Sequence, residues 1–219
     1  MAYNLPDLIY SEKQRRYLYP SGRLVPESKV NNYIKAYQAA YLKRVVEDTN
    51  QLVNGTITAR DWEEKTAKNV KDSHVALMRF GRGGKDKTYA IHYLDIANEL
   101  RQNQYPALRN LVQDLRDGKL SRKMLDYRLS RFVQSSRVSY EMGRRSYAVN
   151  TDYNTHALRK LDAQAKHCED CLRYARMGVR PIGVLPVPGQ SCKCAQACKC
   201  SIYYGREMDL IQMQSGWLA

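Results

Sequence analysis

Apolar side chains recur at steps of three and four from Val30 onward. Val30, Tyr33, Ile34, Tyr37, Tyr41, Leu42 and Val45 make one stripe, which predicts a helix from about Ser28 to Val53. Gly55 stands where a left-handed C-terminal cap is wanted. A second helix is predicted behind Thr58. Its hydroxyl can accept an orphan amide bond, and Asp61 adds a carboxylate to the first turn, where the helix dipole favours one. Trp62, Ala67, Val70, His74, Leu77 and Met78 carry the stripe to Phe80, and Gly81-Arg82-Gly83-Gly84 ends it. The period returns from about Thr88 in Ile91, Leu94, Ile96 and Leu100, until Pro106 ends or kinks that element. Leu108, Leu111, Val112 and Leu115 form a further stripe up to Gly118. A last long helix is predicted from Ser121 to about Val149, with Leu125, Leu129, Phe132, Val133, Ser136 and Tyr140 facing inward.

Two junctions share one layout. Gly55-Thr56-Ile57-Thr58 with Trp62 parallels Gly118-Lys119-Leu120-Ser121 with Leu125. Each reads as a cap glycine, a spacer, an apolar residue, an N-cap hydroxyl and an apolar residue four further on, the pattern of a tight αα-turn with a stapled entry. Residues 1–26 show no helical period and are punctuated by Pro6, Pro20, Gly22 and Pro26, so an extended arm is expected. The expected architecture is mainly α. A helical bundle over 27–155 follows the arm, then a small Cys-rich module resembling a zinc knuckle over 156–205 and a tail over 206–219.

Charge narrows the partners. Of 219 residues, 36 are Lys or Arg and 22 are Asp or Glu, a net charge of +14. That favours an acidic partner, whether nucleic acid, a protein surface or an anionic membrane face, and equally suits a solvated basic surface. No block of five or six consecutive basic residues marks a tail. The basic, glycine-rich turn makes Arg79, Arg82, Lys85 and Lys87 the candidate contacts to DNA or acidic protein. It lacks the Gly-Lys-Ser/Thr ending of a nucleotide-binding loop. Tyrosine occurs 17 times against two phenylalanines, which suits partly wet interfaces. Tyr10, Tyr17, Tyr19 and Arg23 are the arm residues expected to anchor it on the body or on a neighbour. Met1–Pro6 has no basic-then-apolar layout, and no apolar run approaches the roughly 20 residues of a membrane span, so neither export nor a membrane role is expected.

All six cysteines lie between Cys168 and Cys200. Cys168-x-x-Cys171 places two thiolates on one turn, and a second pair from a distant turn can close a tetrahedral zinc site. The expected set is Cys168, Cys171, Cys194 and Cys198, with Cys192 and Cys200 as alternates and one structural zinc ion as cofactor. Six thiolates could also hold two bridged zincs, although the spacing is not that of the six-cysteine binuclear DNA-binding modules. Disulfides, or reduced thiols without metal, are the other readings. His167 reads as a solvated loop residue rather than a ligand. No Ser/His/Asp or paired-carboxylate constellation stands out, and a fully thiolate site leaves no open position for water, so the cluster argues for structure rather than catalysis.

Several segments together are familiar. Tyr17…Ser21-Gly22-Arg23-Leu24-Val25 is followed by Gly55-x-Ile57-Thr58 with Trp62, the glycine-rich turn, Gln104-Tyr105-x-x-Leu108 and Gly118-x-Leu120-Ser121. Arg128 and Tyr140–Tyr147 follow, and His167-Cys168-x-x-Cys171…Leu185-Pro186-x-Pro188-Gly189…Cys198-Lys199-Cys200 closes the order. This arrangement resembles the minor head, or head-morphogenesis, proteins of tailed bacteriophages, over about residues 15–205. The resemblance implies a non-enzymatic virion or assembly protein, made in the bacterial cytoplasm and located in the head. Its partners would be portal and capsid subunits and, as a possible contact, packaged double-stranded DNA, with no small-molecule substrate. The alternatives are a zinc-stabilised nucleic-acid-binding protein unrelated to virions, and a thiol- or metal-dependent hydrolase.

Overall fold

The computed structural model describes residues 6–11, 16–84 and 98–218. The chain is mainly α: a helical bundle carries a short N-terminal hairpin and a small C-terminal module. Among the described residues four helices make the body: α1 (Glu27–Val53), α2 (Ala59–Gly81), α3 (Tyr105–Arg116) and α4 (Arg122–Val149). The predicted stripe residues Ile91, Leu94 and Ile96, with the start near Thr88, lie outside the described residues. Leu100–Gln104 forms a π-helical turn that runs into α3, so Pro106 sits in the first turn of a helix rather than at the end of one.

Both αα-turns form as their sequence predicts. After α1, Gly55 takes φ +71 and donates to Leu52 O at 3.0 Å, while the Thr56 amide reaches Gln51 O at 2.8 Å. After α3, Gly118 takes φ +65 with the matching bonds to Leu115 O and Asp114 O. The left-handed conformation is what lets these two amides turn back on the last carbonyls, and only glycine adopts it without a Cβ penalty. Thr58 and Asp61 form a full capping box at the start of α2, and Ser121 caps α4 by accepting from the Met124 amide.

The core runs between these helices. Ile34, Trp62, Leu77, Leu108, Leu111, Leu125 and Leu129 are buried in one cluster. Trp62 is fully enclosed, and its indole N–H donates to Thr49 Oγ1 at 2.9 Å, which in turn donates to Val45 O at 2.6 Å. Helices α2 and α4 approach backbone to backbone. Gly81 lies against the Tyr140 carbonyl, and Gly143 against the Met78 carbonyl, so neither position has room for a Cβ.

The N-terminal segment is more ordered than its punctuation suggests. β1 (Ile9–Ser11) pairs antiparallel with β2 (Arg16–Leu18), and Leu18 bridges to Leu24. Strands of three residues are too short to show a period-two pattern, which is why the sequence reads as irregular. Behind α4, β3 (His156–Lys160) is flanked by β4 (Arg180–Pro181) and β5 (Ser201–Gly205) in an antiparallel sheet of order β4-β3-β5. A short helix, α5 (Glu169–Arg176), follows β3. The segment expected to be a tail is a helix, α6 (Glu207–Leu218), which packs on β3 and β5. Among the described residues no helix is long and apolar enough to cross a membrane.

Candidate metal centre

The first two thiols are placed by the start of α5. Cys168 is its N-cap, with extended backbone, and Cys171 sits one turn on and is fully buried. The second segment is folded by its own turns. The Ala195 amide donates to Cys192 O at 2.8 Å, a 3₁₀ turn spans Ala195–Ala197, and the Cys198 amide returns to Ala195 O at 3.0 Å. Ala195 is the one non-glycine residue with positive φ among those described, at 45°. These turns aim Cys192, Cys194, Cys198 and Cys200 at α5. Side chains fasten the segments together: Asp170 accepts the Lys193 amide at 2.9 Å, Lys193 Nζ pairs with Glu169 at 2.9 Å, and the Tyr174 hydroxyl donates to Ser191 O at 2.9 Å.

All six sulfurs gather in this space, and all six cysteines are free. Two groups of sulfur atoms could hold a metal ion: Cys168, Cys171, Cys192 and Cys194, and Cys171, Cys198 and Cys200. Cys171 belongs to both. Its sulfur lies 3.6 Å from that of Cys194 and 3.6 Å from that of Cys198, while Cys168 and Cys194 approach to 3.1 Å. The converging four-sulfur group therefore holds Cys192 where the sequence pattern suggested Cys198. The reason is the turn at Cys192–Ala195, which brings Cys192 back beside Cys194.

Two further residues face the cluster. His167 was expected to be a solvated loop residue. It is half-buried, with Nε2 2.7 Å from Asp162 O and Nδ1 3.6 Å from the Cys200 sulfur. A carbonyl can only accept, so Nε2 carries the proton and the Nδ1 lone pair points at the thiol. Arg159, on the inward face of β3, is 2% exposed. It donates through one terminal nitrogen to Pro186 O at 2.8 Å and turns the other to the sulfurs of Cys198 at 3.8 Å and Cys171 at 4.0 Å. Burial works against its charge, but thiolate at Cys198 and Cys200 outweighs that and raises its pKa. In return, a hydrogen bond from the Cys200 thiol, with Arg159 adding its charge, holds Cys198 down at about 4 against its burial. Burial pushes Cys168 up, yet its bonds to Cys194 and to backbone amides prevail and bring it to about 6. Burial raises Cys171 well above the usual thiol range. The cluster thus favours thiolate at Cys168 and Cys198, with a cation beneath them, and could hold a metal ion.

Comparison with models of protein families, with curated proteins and with solved structures finds no match for this chain.

The basic candidates fare differently. Lys85 and Lys87 lie outside the described residues. Arg82 is only 5% exposed and bonded to Ser146 inside the α2–α4 crossing, so it does not face an outside partner. The glycines around it let the helices approach closely enough to bury it. Arg79 is half-buried. In the arm, Tyr17 stacks on Phe80 at 4.7 Å and Tyr10 packs edge-on against Tyr17 and Tyr147, so both hold the hairpin to the body. Tyr19 is half-buried with exposed Arg23 over its ring.

Sequence reasoning missed a second polar cluster. His74 Nδ1 lies 2.7 Å from Ser139 Oγ and its Nε2 3.2 Å from Ser135 Oγ, and the π-helical turn brings Gln104 Nε2 to Ser135 at 2.7 Å. The pairing has hydroxyl–imidazole chemistry, but His74 is 3% exposed between α2 and α4. Burial lowers its pKa to about 4, so it is a neutral hydrogen-bonding hub of the core.

Proposed function

We propose that this chain is a non-enzymatic structural protein of a tailed-phage head, acting at the portal or inner capsid, with its C-terminal module closed by thiolate-bound zinc. The observation that carries the reading is the convergence of six cysteine sulfurs from α5 and the Cys192–Cys200 turns, over a buried arginine. Soft thiolates in a tetrahedral arrangement suit zinc, and a site filled by protein ligands leaves no open position for substrate or activated water. The separate pieces of the C-terminal motif pack against one another. Leu185 and Val187 are fully buried, and Pro186 supplies the carbonyl that fixes Arg159 under the thiols. The Pro-x-Pro-Gly segment and the Cys-x-x-Cys and Cys-x-Cys pairs thus act as one unit. In this reading zinc holds α5, the Cys-rich turns and the β3–β5 sheet together, and packaged DNA is a candidate contact of the basic surface.

Two measurements test the parts separately. Elemental mass spectrometry on chain purified under reductant should find zinc, and a chelator should remove the order of the C-terminal module while leaving the bundle helical. Peptide mass spectrometry on phage heads purified from the strain that carries the gene should find the chain in them. Recovery from the soluble host fraction alone, with none in heads or procapsids, refutes the head assignment.

A further inference from the structure

The ligand count around Cys171 leads past a single ion. We infer that the module holds two metal ions bridged by the Cys171 thiolate, with His167 as the seventh ligand. The inference rests on the thiolate–metal part of the proposed function and is independent of the phage assignment.

One zinc needs four ligands and leaves two of the six cysteines unused. The structure leaves none aside. Cys168, Cys171, Cys192 and Cys194 form a complete four-sulfur set, and Cys171, Cys198 and Cys200 form a second set that lacks one donor. His167 Nδ1 stands beside that second set, 3.6 Å from the Cys200 sulfur. With Cys171 shared, the first ion has four sulfurs and the second has three, and the His167 imidazole, beside Cys200 but outside the converging three-sulfur group, has to move toward Cys171 and Cys198 to become the fourth donor. Cys171 is the only thiol in both sets, and as the most enclosed of the six it is the one that no solvent competes for.

The spacings agree with this assignment at Cys171, whereas the Cys168 and Cys194 sulfurs, at 3.1 Å, have to part slightly to share one ion. Metal–sulfur bonds of about 2.3 Å at tetrahedral angles separate two thiolates by about 3.8 Å, and an imidazole nitrogen from a thiolate by about 3.6 Å. Cys171 lies 3.6 Å from both Cys194 and Cys198, one contact in each set. Packed thiols alone also reach such sulfur–sulfur distances, so the imidazole carries the distinction. Its Nε2 is held by the Asp162 carbonyl, the kind of outer contact that fixes the tautomer and ring plane of a metal-bound histidine. Charge points the same way. Six thiolates around two divalent ions leave two negative charges, and buried Arg159 donates to Cys171 and Cys198, the bridge and a ligand of the second ion.

The test loads the full chain with Zn2+ under reductant, counts metal per chain, and repeats the loading with cadmium-113 for NMR. About two zinc ions per chain and two cadmium resonances are expected, one for an all-sulfur site and one shifted by a nitrogen donor. Cys192→Ser, which removes a member of the first set alone, should lower the count to about one and spare the nitrogen-shifted resonance. His167→Gln should move or remove that resonance alone, with the bundle's circular dichroism unchanged as a check on folding. One zinc per chain with one cadmium resonance overturns the bridged pair while leaving a single structural metal standing. No bound metal overturns both. Two resonances that His167→Gln leaves unmoved remove His167 from the ligand set.

Discussion

Replacing Gly81 by alanine should destabilise the protein, against the usual rule for helices. In an open helix the change gains about 1 kcal/mol, because alanine loses less backbone freedom than glycine on folding. Here an added Cβ on Gly81 falls onto the Tyr140 carbonyl oxygen, with the carbonyl carbon 2.9 Å and the Arg144 amide nitrogen 3.1 Å away. All three atoms are backbone of α4, so no rotamer change can relieve the overlap. The crossing must open instead, and a gap of about 1 Å forfeits a quarter to a half of each contact's dispersion well. Such overpacking costs roughly 1–3 kcal/mol, and the contacts of Leu77, Phe80 and Tyr140 at the crossing add to it. Less the helix gain of about 1 kcal/mol, and with those contacts added, the net expectation is a loss of about 1–3 kcal/mol, or roughly 2–12 °C in Tm for a chain of this size. Gly143→Ala should behave alike, because its Cβ meets the Met78 carbonyl and lies 3.1 Å from the Arg82 amide. Once one alanine has opened the crossing, the second costs less, so the double variant should lose less than the sum. Gly216→Ala in α6, where a Cβ meets nothing within 4 Å, serves as the control and should be neutral or slightly stabilising. Thermal and urea melts followed by far-UV circular dichroism decide it. A Gly81→Ala variant as stable as the native chain would mean that the α2–α4 crossing is not built on backbone contact.

Trp62→Phe removes the bond to Thr49 Oγ1 and leaves a void in a fully closed pocket, and should cost about 2–4 kcal/mol with an unchanged urea m-value. His74 has a folded-state pKa of about 4 against an ordinary 6.5, so the unfolded chain takes up the proton first as pH falls. Its contribution to stability is complete above pH 6.5 and is lost progressively down to about 4, a difference of about 3 kcal/mol. Urea midpoints measured over that range should fall more steeply for the native chain than for His74→Asn, and parallel curves would show that His74 does not titrate in this way. Arg159→Met keeps an apolar stem in the buried slot and deletes the charge beneath the thiolates. Zinc affinity, read by competition with a chromophoric chelator, should weaken about 10–100-fold, and an unchanged affinity would remove Arg159 from the site's electrostatics.

The helices were legible because their signals are long and local. The stripe from Val30 to Val45 and the two Gly–apolar–hydroxyl junctions each lie within one stretch of chain, and α1, α2 and α4 begin and end within a residue or two of where these signals place them. The sheet was not legible. β3 reads His-Ala-Leu-Arg-Lys, in which a buried arginine mimics a solvent-facing position, and β4 has only two residues. Arg159 owes its burial to thiols 12 and 39 residues further along the chain, a relation no local pattern encodes. The Cys-rich segment announced its chemistry but not its ligand sets, since the turn at Ala195 decides which sulfurs converge. Arg82 failed as a surface residue for a similar reason, because the glycines beside it look like a loop and act as a close helix crossing.

The module's composition ties its cysteines to its fold. Among the described residues its buried aliphatic side chains are few, Ala157, Leu158, Leu185, Val187 and Ile202, and the neighbouring buried cluster consists of cysteines. So small an apolar core rarely holds a segment of this length in place, and small folds commonly add disulfides or metal to make up the difference. Thiolate–metal bonds would join β3, α5 and the Cys-rich turns at one point. The effect extends to the bundle, because the Ala195–Ala197 turn packs on α4 and Gly189 fits between the Ala195 carbonyl, 2.9 Å from its would-be Cβ, and Val138 of α4 at 3.0 Å. Metal loss would therefore release not only the thiols but also the turn that covers this face of α4.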